Sequence, residues 1–295
     1  MKDIRTFDEA SAISALPNRS PDGNKGSFGK LLMICGSRKF PGAALLSLEA
    51  ALRGGCGYTA LASFPEVVSH ALLKFPETLL FEIGSYSGDD FDRILKLDGE
   101  YSVTLIGPGS ERCPELARLT SELMMRSSSP LIIDADAINS ISELGIRQEE
   151  IRTAKRPIIF TPHPMEFSRL TGYALCDILS HRKELAARFA RESGAVVLLK
   201  GKGTVITDGN TTLVNASGSA ALAKAGSGDT LAGLLGALLA QGLPTLDAAA
   251  LAAYVHGAAG DALEKRLSPV GVTPSDLPTE MAKILATLYR KNANS

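Results

Sequence analysis

The sequence predicts an α/β fold: a mostly parallel central sheet with helices on both faces. Three observations carry that expectation. From Lys30 onward short apolar runs alternate with segments of helical period, the pattern of strands and crossover helices. Glycine is frequent, at 28 residues, and clusters at the ends of the apolar runs, where α/β enzymes place ligand loops. The chain has 295 residues, 45% of them hydrophobic, enough to bury one large core. No repeat, low-complexity segment or composition break divides it. Residues 1–295 are therefore expected to form a single domain, with a short N-terminal extension over 1–24.

The elements follow in order. The first two dozen residues read as a short helix and a polar loop from Asn18 to Lys25. Leu31–Cys35 is a short strand ending at Gly36, and 42–53 is a helix rich in Ala and Leu, stopped by Gly54-Gly55. Residues 58–62 and 78–82 read as strands and 89–97 as a helix. Val103–Ile106 is a strand running into Gly107-Pro108-Gly109, and 115–126 is helical. Leu131–Ile133 is a buried strand ending at Asp134; 157–161 is a strand ending at Pro162-His163-Pro164. A helix over 177–193 leads to a strand over 195–199, which ends at Lys200-Gly201. Two strands, 204–207 and 212–214, flank Asp208-Gly209-Asn210 as a hairpin. Leu231, Leu234, Leu235, Leu238 and Leu239 set a long helix after Asp229, followed by helices over 248–266 and 280–291. Loops that follow parallel strands share one crevice at the carboxyl ends of the sheet.

Composition excludes several classes. The net charge is -1 with no basic stripe, so nucleic acid is not an expected partner. The N-terminus has no apolar signal core, and no apolar run reaches the ~18 residues of a membrane span. Cys35, Cys56, Cys113 and Cys176 form no C-x-x-C pair and read as reduced thiols of a cytoplasmic protein. The P-loop, the dinucleotide G-x-G-x-x-G pattern and the G-x-S-x-G elbow are absent.

The chemistry is expected in four loops. Gly226-Ser227-Gly228 lead into Asp229 and a helix, whose first amides are unpaired and sit at the positive end of the macrodipole. A phosphate docked on those amides would stand beside Asp229, which could take a proton from an attacking hydroxyl. Asp229 reads equally as an N-cap of that helix. Asp134 and Asp136 follow a buried strand; they suit waters on Mg²⁺ or cap a short helix. Two prolines fix the backbone around His163, a ligand contact or a surface histidine, while Glu166 reaches Mg²⁺ through water or favours a helix start. Lys200-Gly201-Lys202-Gly203-Thr204 supplies lysines and flexible amides for a polyphosphate, or a solvated basic turn. His256, among small residues of a helix, reads as structural.

In this order the loops resemble the ADP/ATP-dependent NAD(P)H-hydrate dehydratases of the ribokinase-like superfamily. The matching pieces begin with Lys25–Lys30, Gly36-Ser37 with Gly42–Ala44, and Gly107–Gly109. They continue through Asp134–Asn139, Thr161–Glu166, Lys200–Thr204 and Ala225–Asp229, spanning roughly residues 24 to 290. The resemblance implies a substrate with a hydroxyl on C6 of a hydrated NADH or NADPH ring. Asp229 would be the base on that hydroxyl, ADP or ATP the phosphoryl donor, and phosphate the leaving group. Ala44, Gly109, His163 and Asp229 are implied to contact this substrate. Lys200, Gly201, Lys202, Gly203, Thr204 and Gly228 are implied to contact the nucleotide. Mg²⁺ is implied with the nucleotide, as is a homotetramer. Too few residues precede the core for an epimerase domain, so epimerase activity is not expected. Residues 215–223 and Ser110 depart from the family pattern, at the adenosine contacts and at the shape of the 107–110 loop respectively. A small-molecule kinase of the same superfamily, acting on a hydroxymethylpyrimidine, pyridoxal or a thiazole alcohol, shares the base and the anion loop. A non-catalytic adenine-nucleotide sensor shares the loop alone.

Overall fold

The computed structural model describes residues 3–294. The chain runs through β1 (Asp3–Phe7), α1 (Glu9–Ser14), β2 (Lys30–Ile34), α2 (Pro41–Gly54), β3 (Tyr58–Ser63), α3 (Pro65–Lys74), β4 (Leu79–Glu82) and α4 (Gly88–Asp98). It continues with β5 (Val103–Ile106), α5 (Pro114–Met125), β6 (Leu131–Ile133), α6 (Ala135–Glu143), α7 (Gln148–Arg152), β7 (Ile158–Phe160), α8 (Pro164–Thr171), α9 (Leu175–Ser180) and α10 (Arg182–Ser193). Then come β8 (Val196–Leu199), β9 (Val205–Thr207), β10 (Thr211–Asn215), α11 (Ser227–Ala240), α12 (Thr245–Gly271) and α13 (Leu277–Ala293).

The strands form one ten-stranded sheet in the order β1-β10-β9-β8-β7-β6-β5-β2-β3-β4. β9 runs antiparallel to both of its neighbours, and every other pairing is parallel. The β9–β10 hairpin is the one expected from Asp208-Gly209-Asn210. The first residues differ from expectation: Asp3–Phe7 is a strand in register with Thr211–Asn215, and the short helix follows it. Two further helices, α3 and α7, fill gaps in the expected order; α6 and α8 begin where a helix start is one of the two readings of Asp134 and Glu166; and the helix expected over 177–193 is two, broken at His181.

Side chains leave a strand on alternate faces. Leu31 and Met33 of β2 join an apolar layer with α2, α11, α12 and α13. Leu32 and Ile34 join the opposite layer with α4, α5, α6 and α10. In the first layer α2 and α11 lie unusually close. A Cβ on Gly233 would sit 2.0 Å from the Ser47 carbonyl oxygen, so only glycine fits there. One turn on, the Ala237 methyl meets Gly54. Gly233 and Ala237 thus form the seam of α11 against α2, which holds the start of α11 in place. The Ser47 hydroxyl donates to the Asp229 carbonyl at 3.0 Å across that seam.

Strand order reverses between β2 and β5, which are neighbours in the sheet but not in sequence. Ligands of open α/β sheets bind beyond the carboxyl ends of the strands at such a point. The two loops there are stitched together: the Gly36 amide donates to the Pro108 carbonyl at 2.7 Å, and the Gly107 amide to the Ile34 carbonyl at 3.2 Å.

Candidate active site

Three neighbouring strands deliver polar residues to one place: Asp134 after β6, His163 after β7 and Lys200 after β8. Asp134 is buried, and its Oδ1 accepts from the Thr161 hydroxyl at 2.7 Å and from Lys200 Nζ at 2.9 Å. Its Oδ2 is buried with no hydrogen-bond partner among the described residues. Asp134 holds the N-cap position of α6 yet makes no capping bond, so its carboxylate is given to the crevice. Asp136 instead ties the 107–112 loop, accepting from the Glu111 amide at 3.1 Å. Glu111 itself adopts φ 59, a left-handed turn that the loop keeps without a glycine there.

Lys200 Nζ also stands 3.9 Å from Glu166 Oε2 and lies against Gly228. Burial opposes the Lys200 charge, but Asp134 and Glu166 outweigh it and raise the pKa above the ordinary lysine value. Burial raises Glu166, and Lys200 pulls it back. His163 Nδ1 accepts from the Met165 and Glu166 amides at 3.1 and 3.2 Å, so in the neutral ring the proton sits on Nε2, 3.3 Å from Glu166 Oε1. Burial, then Lys200, lower its pKa and hold it neutral. The rigid histidine is thus a hydrogen-bond donor at the crevice wall, and Glu166 both starts α8 and faces Lys200.

Asp229 lies in the first turn of α11, whose N-cap is Gly226 at φ 101. That resolves the capping alternative: a residue with a Cβ would be strained at 226, and Asp229 stands three residues past it, free for another role. No hydrogen bond from the described residues reaches its carboxylate. Burial first, then the negative charge of Asp134, push its pKa up to about 7, while Lys200 pulls it down. A carboxylate poised near neutrality is suited to general-base work.

Beside this cluster opens a cavity of about 580 Å³. Of the residues expected at the nucleotide, Lys200, Gly201, Lys202, Thr204 and Gly228 line it, while Gly203 completes the turn at φ 61. Ser227 also lines it, so the start of α11 is its inner wall. The divergent 215–223 segment forms the opposite wall and is fixed to α12: the Ser217 hydroxyl donates to the Tyr254 carbonyl at 2.8 Å, and the Gly218 amide to Asp261 at 2.9 Å. Gly109, half-buried at φ 63, and His163 stand outside this cavity, on the loops after β5 and β7. Ala44 has no exposed surface and packs on Gly36, so it shapes the β2 turn from behind. A larger, shallower groove of about 850 Å³ between α12 and α13 carries none of the expected site residues.

Sequence reading missed two contributors. Arg182, on α10, donates to the carbonyls of Leu199, Lys200 and Lys202 at 3.0, 3.1 and 2.6 Å and sets the shape of the lysine loop. No local signal marks it, because the loop it braces lies 18 to 20 residues further on. His256 lines the cavity, and burial pushes its pKa down to about 4, so it is neutral there.

Mg²⁺ keeps waters and substrate phosphates among its ligands, and binds through one or two carboxylates. Among the described residues no cluster of three or more His, Cys, Asp or Glu forms a metal cage. The unpartnered Asp134 Oδ2, with Glu166 nearby, offers the hard oxygen donors that a nucleotide-borne Mg²⁺ would meet.

A carboxylate near neutral pKa, a glycine-led helix start and a lysine loop at the carboxyl edge of a parallel sheet mark an enzyme of the ribokinase-like class. A solved ADP/ATP-dependent NAD(P)H-hydrate dehydratase from Bacillus subtilis, co-crystallised with ATP and Mg²⁺, superposes with a TM-score of 0.83 at 27% identity, over 99% of this chain and 100% of that one. A ribokinase-like superfamily protein from Enterococcus faecalis gives a TM-score of 0.85 at 25% identity, over 97% of this chain and 96% of that one. The chain belongs to the NAD(P)H-hydrate dehydratase family, whose sequence model matches residues 31–283. It is 35% identical to the ADP-dependent (S)-NAD(P)H-hydrate dehydratase of Neisseria meningitidis, over 84% of this chain and 81% of that one. It is 37% identical to the bifunctional NAD(P)H-hydrate repair enzyme of Moorella thermoacetica, over 96% of this chain but 54% of that one. The chain therefore spans about half the length of such bifunctional relatives. No helix among the described residues is long and apolar enough to cross a membrane.

Proposed function

We propose that this chain dehydrates the S-epimer of hydrated NADH or NADPH, using ADP, with ATP as the alternative donor. The single observation that carries the reading is Asp229: a carboxylate with a pKa of about 7, in the first turn of α11 beside the lysine-lined cavity. Asp229 takes the proton of the C6 hydroxyl as its oxygen bonds to the terminal phosphorus, and the bond from that phosphorus to the nucleotide breaks. The amides at the start of α11 and Lys200 hold the phosphoryl group where negative charge develops. The ring nitrogen lone pair then expels phosphate from C6, a proton leaves C5, and the reduced ring is restored. Asp134 and Glu166 would hold a nucleotide-bound Mg²⁺, which supplies charge neutralisation at the phosphates. His163 Nε2–H would orient the substrate as a donor. A cytoplasmic location and a homotetramer belong to the same proposal and rest on the family resemblance.

The direct test follows recovery of reduced-cofactor absorbance when protein, Mg²⁺ and ADP or ATP meet the hydrate. A hydroxymethylpyrimidine run in parallel tests the kinase reading. Turnover of the pyrimidine alcohol with no cofactor recovery would overturn the dehydratase assignment.

Lys200→Ala removes a cation from the cavity wall and strands the buried Asp134 carboxylate. A charged hydrogen bond is worth ~1.5–3 kcal/mol, so KM for ADP should rise roughly tenfold or more, well beyond any change for the hydrate. Lys200 also pulls the Asp229 pKa down, so the acid limb of kcat/KM should move to higher pH in this variant. Equal weakening of both substrates with an unmoved limb would count against the assignment of Lys200.

A further inference from the structure

We propose that Phe40 is the stacking platform for the adenine half of the hydrated cofactor, and so determines the preference for a dinucleotide over a mononucleotide substrate. The inference rests on the dehydratase reading above and deepens it. Phe40 is a large apolar side chain left 44% exposed at the rim of the crevice. Its backbone is fixed at the strand-order reversal. The Phe40 amide donates to the Ser37 hydroxyl at 3.2 Å, and a Cβ on Gly109 would meet the Phe40 carbonyl oxygen at 2.8 Å and its Cβ at 3.1 Å. The Phe40 backbone and Cβ therefore stand beside Gly109, and the exposed ring extends from there.

Its distance from the chemistry selects the part of the substrate it meets. Ser47, on the same helix, bonds the Asp229 backbone. Phe40 precedes Ser47 by seven residues, which at ~1.5 Å per residue is about 10 Å along α2 toward the crevice mouth. With C6 of the hydrated ring at Asp229, that distance spans the nicotinamide and its ribose as far as the diphosphate, so a ring at the rim meets the adenine that follows it. Lys39 Nζ lies 5.2 Å from the Phe40 ring centroid and has no carboxylate partner among the described residues. The other basic residues of this rim are engaged: Arg38 with Glu66 at 2.7 Å, and Arg112 3.6 Å from both Asp136 and Glu143. Lys39 lies over one face of the ring, so an adenine takes the other, with the ammonium within reach of the diphosphate that tethers it.

Stacking of a base on an aromatic side chain is lost on substitution by alanine, here with an expected rise of about tenfold in KM for hydrated NADH in Phe40→Ala. kcat and KM for ADP should not move. Hydrated reduced nicotinamide mononucleotide, which lacks the adenosine half, should show the same KM with both proteins. Phe40→Trp should restore the dinucleotide KM, which a merely structural role for the side chain would not require. An equal KM rise for both hydrates, or none for either, would overturn the inference while wild-type turnover leaves the dehydratase reading standing. Failure of the wild-type protein to turn over either hydrate would overturn that reading and this inference together.

Discussion

Asp229→Asn is expected to lower kcat at least ~100-fold, the usual range for loss of a positioned general base, while leaving the fold and KM for ADP nearly unchanged. The substitution is close to isosteric. The carboxylate accepts no hydrogen bond from the described residues, so the amide breaks none. The wild-type kcat/KM should fall as pH drops through about 7, because the base must be ionised and burial holds its pKa there. The same burial predicts a stability signature of the opposite sign. The Asp229 pKa is raised from 3.8 to about 7 on folding, so the folded state binds its proton more tightly than the unfolded state. That contribution is fully present below pH 4, is lost as pH rises through 7, and leaves above it a desolvated charge that Lys200 offsets only in part. Asparagine never carries the charge. The variant should therefore melt at least about 3 °C higher than the wild type at pH 8, with the two curves converging near pH 4. Turnover within tenfold of wild type would remove Asp229 as the base. Equal melting temperatures at pH 8 would show that the carboxyl is not desolvated.

The legible parts of the fold are those where apolar period and glycine punctuation agree. Strands such as Leu131–Ile133 are buried on both faces, so their sequences are continuously apolar and end where a polar residue meets the crevice. That is why Asp134, His163, Lys200 and Asp229 were found together: each stands just beyond such a run or in the first turn after a glycine loop. β1 is illegible in the sequence because it lies on a sheet edge with Ile4, Arg5 and Thr6 exposed, so burial imposes little pattern on it. α3 and α7 are short and begin near turn residues, which mask their period. The choice between cap and base at Asp229 lay beyond the sequence. It turns on one φ angle at Gly226, which places the helix start three residues earlier. The contributions of Arg182 and Thr161 depend on contacts between separate elements, which no local pattern encodes.

The largest stability loss is expected at the other end of the same strands. Arg156 Nη1 binds both carboxylate oxygens of Asp98 at 2.8 and 2.9 Å, and both side chains are almost fully buried. The guanidinium also donates to the Ser129, Leu123 and Pro130 carbonyls, and the Thr104 hydroxyl donates to Asp98 at 2.6 Å. These groups join the entries to β5, β6 and β7, the edge of the sheet remote from the crevice. Breaking a buried pair from one side leaves a charge without its partner, at a cost of ~3–5 kcal/mol. Arg156→Ala should therefore lower the melting temperature by about 10 °C. Well below that temperature its kcat and both KM values should match wild type, because no group of the crevice is touched. Asp98→Ala together with Arg156→Leu should recover part of the loss, since removing both charges leaves neither stranded. A single Arg156→Ala variant that melts with the wild type would show that the pair contributes nothing. One that folds normally but loses turnover would show that the two edges of the sheet are coupled, contrary to a separation in which Asp229 gives up stability for chemistry at one edge and Arg156 secures stability at the other.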